Sequence, residues 1–144
     1  VTILFVVNNI SNYYLSPLIG KSIIRFGERK VLSLEYISLI FVFVAYAVTG
    51  SKLIVAFLYM LDHIFFNFSI AIRTYFQKVG DPRDIAPSMA VGFTINHIAA
   101  VFLPALGGAL WMIDYRIPFI GGAVMSLVSL IAVQMIKTPK KIGI

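Results

Sequence analysis

The chain has 144 residues, of which 60% are hydrophobic and 12% charged. A soluble domain carries about twice that share of charge, so the composition argues against a water-soluble globular domain, and it excludes disorder. With no cysteine the chain has no disulfide, thiolate metal site or catalytic thiol, and its net charge of +6 is explained by where the cations sit rather than by nucleic acid.

A membrane-crossing helix needs about 20 largely apolar residues, and five windows supply them: 1–19, 31–49, 53–72, 86–113 and 117–136. Helix is the state expected for all five, because lipid cannot satisfy open backbone groups. A barrel strand would alternate polar and apolar residues, and these windows do not. The expected fold class is therefore an all-α polytopic membrane protein of five transmembrane helices. The chain opens on Val1 inside an apolar run, and its natural start is expected to lie upstream.

The connections alternate in charge. Gly20–Lys30, Arg73–Asp84 and the tail Lys137–Ile144 hold ten Lys and Arg, while Lys52 and Arg116 are the two on the opposite side. Cations gather on the cytoplasmic side of membrane proteins. The basic connections and the C-terminus are thus expected in the cytoplasm of a cell carrying this protein in its inner or plasma membrane. Tyr75, Phe76, Trp111 and Tyr115 lie at span ends, where aromatic rings favour the headgroup level.

Polar residues separate the spans into two kinds. The second is almost wholly apolar past Glu35, and the fifth offers Ser126, Ser129 and Gln134; both read as lipid-facing. The first carries Asn8, Asn9, Asn12 and Ser16, within about 100° of arc on a helix. The third carries Asp62, His63, Asn67 and Ser69, and the fourth Asn96 and His97. Each cluster sits near the middle of its window. Such groups are costly in lipid and face a bundle interior or wet cavity, and a midplane cluster shared by several helices is how transporter sites are built. Interhelical hydrogen bonding alone would explain the asparagines equally well. Asp62 needs a partner, and Arg73 is about 16 Å along the axis, so partners are expected on other helices: Asn96, His97 or the Asn8–Asn12 stripe. Ala105 with Ala109, and Gly122 with Ser126, are small pairs that permit close helix approach, and Pro104 is expected to bend the fourth helix.

The first connection reads Gly20-Lys-Ser-Ile-Ile-Arg25-Phe-Gly27-Glu-Arg29-Lys30. Gly20, Arg25, Gly27, Arg29 and Lys30 resemble the signature loop of the major facilitator superfamily of transporters, with Ile24 where that pattern has Asp and Glu28 within the basic run. In physical terms, Gly20 would let helix ends approach, Gly27 would allow a tight turn, and Arg25, Arg29 and Lys30 would anchor the loop at the anionic inner leaflet. Glu35 would bond back to that cluster.

The resemblance implies the C-terminal part of such a transporter: helices eight to twelve of the twelve-helix fold, a partial six-helix bundle without helix seven or the N-terminal half. In that family helices nine and twelve are peripheral, and eight, ten and eleven approach the cavity. It further implies secondary transport of a small solute by alternating access, with no cofactor. Asp62 and His63 are the candidates for coupling to protons or Na+, and Asn8, Asn9, Asn12, Asn96 and His97 for lining the path. The implied partners are the lipid bilayer, the substrate and the missing N-terminal half. No metal-ligand or nucleophile–base spacing marks an enzyme; the sequence has no His-Glu-x-x-His and no paired aspartates in a span. The alternative is a small polytopic scaffold or accessory subunit without transport activity.

Overall fold

The computed structural model describes residues 2–137. Lys140 and Lys141 of the basic tail, and the C-terminus whose side the charge pattern predicts, lie outside them. The described residues form helices and short connections, with no strand: α1 (Thr2–Phe26), α2 (Glu28–Val48), α3 (Lys52–Phe66), a 3-10 turn (Asn67–Ser69), α4 (Ile70–Val79), α5 (Pro82–Ile113) and α6 (Arg116–Gln134).

Four helical runs are long and apolar enough to cross a bilayer: Glu28–Val48, the 28-residue run Lys52–Val79, Pro82–Ile113 and Arg116–Gln134. The chain therefore fits an all-helical integral membrane protein. The fifth expected span, α1, has 25 residues but is not among these runs. Asn8, Asn9 and Asn12, together with Ser11 and Ser16, dilute its apolar content.

Two expected connections prove largely helical. Gly20–Lys30 is not a loop: α1 runs to Phe26, α2 begins at Glu28, and only Gly27 intervenes. Lys and Arg are good helix formers, so charge alone does not end a helix. Gly27 does, with φ 85° and ψ 155°, a conformation essentially confined to glycine. Likewise the third run continues to Val79, and Gly80-Asp81 alone separates it from α5. Asp81 caps α5 by accepting the Arg83 backbone N–H at 2.9 Å. Pro82 follows in the first turn, where a missing N–H costs no bond. The helix then continues through Pro87 and Pro104.

α2 is the centre of the structure, against the expectation of a lipid-facing second span. Glu28, Val31, Leu32, Glu35, Leu39 and Val42 are buried, at the spacing of three and four that defines one helix face. α2 packs most extensively on α6 and also touches α1, α3, the 3-10 turn and α4. The reason is that a lipid-facing and a protein-facing apolar helix carry the same residues: lipid is as apolar as leucine, so burial follows packing rather than hydropathy. α6 is accordingly not wholly lipid-facing either. Its Ser126 and Val133 are buried, and a Cβ on Gly122 would fall 3.2 Å from the Phe43 ring. At the other end of this pair Tyr46 stacks on Phe119 (4.9 Å between centroids) and Trp111 meets Phe119 edge-on (5.6 Å).

The core lies at the basic end, where Ile19 and Ile23 of α1, Val31 and Leu32 of α2, Ala71 of α4 and Val133 of α6 meet. There Glu28 at the start of α2 pairs with Lys78 at the end of α4. By contrast α5 touches only α4 and α6 and has no buried residue.

Candidate functional site

The polar groups of α1 and of the third run converge. Asn67, in the 3-10 turn, donates through Nδ2 to Asn12 Oδ1 of α1 and to the His63 carbonyl at 2.9 Å. Asparagine competes with the backbone for its own helix carbonyls, and this capture coincides with the break at Asn67–Ser69. A 3-10 stretch inside a longer helix often marks a functional hinge. Ser16 Oγ donates to the Asn12 carbonyl at 2.7 Å, one turn toward the basic end.

Asn8 lies one turn further along α1 in the other direction. It is 4% exposed, and its Oδ1 has no hydrogen-bond partner among the described residues. A buried acceptor left unmade costs about 1–3 kcal/mol, so this oxygen is a standing demand for a donor. Asn9, its neighbour, points to the exposed side.

His63 is partly buried on α3. Its Nδ1 lies 3.1 Å from the Tyr59 carbonyl. A carbonyl only accepts, so in this bond Nδ1 is the donor. The Tyr59 ring lies 4.3 Å from the imidazole. Asp62 beside it is partly buried and makes no hydrogen bond or ion pair among the described residues. None of the expected partners on other helices bonds to it among the described residues.

The structure separates Asn96 and His97 from this group, against expectation. Both are exposed on α5, which does not touch α1 or α3. His97 repeats the local arrangement of His63: Nδ1 lies 3.1 Å from the Phe93 carbonyl and the rings are 4.0 Å apart.

The motif residues also differ in part from expectation. Gly20 approaches nothing: a Cβ there would find no atom within 4 Å. Arg25 sits 5.4 Å over the Phe26 ring, and Arg29 reaches α6, donating to Gln134 Oε1 at 3.1 Å. Lys30 is exposed. Glu35 does not return to this cluster. It faces the interior of α2, 2% exposed, with Oε2 unpartnered. The carboxylate that does meet a cation is Glu28, one residue past the turn.

Two residues outside the expected site complete it. Asn67 was visible as a polar residue of the third span, and Glu28 as the acidic intruder in a basic run; neither has a spacing that announces its partner. Comparison with protein-family models, curated proteins and solved structures gave no match.

Proposed function

We propose that the chain is the C-terminal part of a major-facilitator-type secondary transporter, moving a small solute by alternating access. The observation that carries the reading is the Asn12–Asn67 bond between α1 and the broken third helix, with buried Asn8 beside it offering an unpartnered acceptor. Polar groups at this depth in apolar helices serve substrate or ion pathways, and broken helices supply such sites in transporters. The Gly27 turn with Arg25, Arg29 and Lys30, and the ten-to-two charge split, support the same family and a cytoplasmic C-terminus in a cell membrane. On this reading Asp62 and His63 couple solute movement to protons or Na+, and Asn96 and His97 face the other half of the transporter.

The test is accessibility in the complete protein. Asn12→Cys is challenged with a membrane-impermeant maleimide from each face in turn. Alternating access predicts modification from both faces. A scaffold without a transport path predicts modification from one face or from neither, and that result would overturn the proposal.

A further inference from the structure

At the basic end of the α2–α6 pair a groove of about 640 Å³ opens to the surface. One wall is polar. Arg29 and Lys30 are exposed, and neither pairs with a carboxylate among the described residues. Arg29 is nonetheless held in place. Its guanidinium donates to Gln134 Oε1 at 3.1 Å, Gln134 Nε2 donates to Ser33 Oγ at 2.9 Å, and Ser33 Oγ donates to the Arg29 carbonyl at 2.8 Å. This ring of bonds ties α2 to α6 and leaves most of the five guanidinium N–H donors uncommitted.

The rest of the groove is apolar. Leu34 and Ile37 line it and are 54% and 42% exposed. Lys30, Leu34 and Ile37 are four and three residues apart, so they form one strip along α2. The strip runs about 10 Å from the cation toward the apolar part of the span. A fixed guanidinium and a free ammonium above an apolar channel match an anion that carries a hydrocarbon tail.

We propose that this groove binds a single anionic phospholipid, its phosphate between Arg29 and Lys30 and one acyl chain along Leu34 and Ile37. Two cations without a counter-charge favour a net anionic headgroup over a zwitterionic one, and basic pockets between membrane helices take such headgroups. The apolar strip distinguishes a lipid from free phosphate, which would leave it uncovered. The site is separate from the Asn12–Asn67 group and does not depend on the transport reading.

The experiment is native mass spectrometry of the full chain, released from micelles containing equal amounts of dioleoylphosphatidylglycerol and dioleoylphosphatidylcholine. Each cation near the surface is worth about a factor of five, so the unmodified chain is expected to retain one phosphatidylglycerol with roughly twentyfold preference. Lys30→Gln removes a side chain that makes no bond among the described residues, so its folding is not at stake, and it should lower the preference about fivefold. Arg29→Gln with Lys30→Gln should abolish it, Arg116→Gln at the opposite end should leave it intact, and millimolar inorganic phosphate should not displace the lipid. Equal retention of the two lipids, an undiminished preference in Lys30→Gln, or displacement by inorganic phosphate would overturn the proposal.

Discussion

Glu28 and Lys78, fifty residues apart, form an ion pair that joins the first turn of α2 to the last turn of α4. The partners are unequal: the Glu28 side chain is 2% exposed and that of Lys78 46%. Removing the lysine strands a buried carboxylate, whereas removing the carboxylate lets the lysine return to solvent. We expect Lys78→Gln to cost about 1–3 kcal/mol, Glu28→Gln less, and the double variant to recover part of the loss. Thermal unfolding of the three variants in detergent checks the order, and equal effects of the two single changes would contradict it.

Gly27 and Gly20 should respond in opposite ways to alanine. Gly27 has φ 85° and ψ 155°, which costs a side-chain-bearing residue about 1–3 kcal/mol. Gly20 sits inside α1 with open space around it, where alanine gains about 0.5–1 kcal/mol. Gly27→Ala should lower the unfolding temperature and Gly20→Ala should hold or raise it. A fall for Gly20→Ala would mean that another helix lies against that face.

A double-mutant cycle tests the polar seam. Hydrogen bonds between membrane helices are worth about 0.6 kcal/mol on average and up to about 1.7, so Asn12→Ala and Asn67→Ala should show a coupling in that range. Asn12→Ala and Asn96→Ala should be additive to within about 0.5 kcal/mol, because α5 does not touch α1. Unfolding equilibria in mixed micelles give both numbers.

Asp62→Asn keeps the shape of the side chain and removes its charge. On the proposed transport reading it should abolish accumulation against a gradient while exchange of solute across the membrane persists. Uptake and surface expression measured together decide the matter: a well-expressed variant that still concentrates solute would make Asp62 a packing residue.

The helices were largely legible because hydropathy and length dictate them. Window 31–49 became Glu28–Val48, and window 117–136 became Arg116–Gln134. Their faces were not legible. The same leucines and valines suit lipid or a neighbouring helix, so Leu32 and Leu39 gave no sign that α2 would be central and α5 outermost. Charge misled in the connections, since Lys21 and Arg25 prolong α1 as readily as they would end it. In the site, Asn12 stood out because it repeats with Asn8 on one face. Its bond to Asn67 did not, because which turn of α1 meets which turn of the third run is fixed by packing, not by either segment's own pattern. Glu35 could not return to the basic run because Arg29 and Lys30 share its helix, six and five residues away, which puts them about 120° and 140° round α2 from its buried face.

The single-residue junction at Gly27 also bears on how this sequence can change in length. Each residue of helix turns the following ones by about 100°. An insertion or deletion in the first turns of α2 would rotate Glu35, Leu39 and Val42 off their buried face and carry the α6 contact with them. The exposed Gly50-Ser51 connection has no such phase to keep, because loops there absorb added residues at little cost. Natural versions of this chain that differ in length should therefore differ around 49–51 and 114–115, and keep the count from Asn12 through Val42 unchanged.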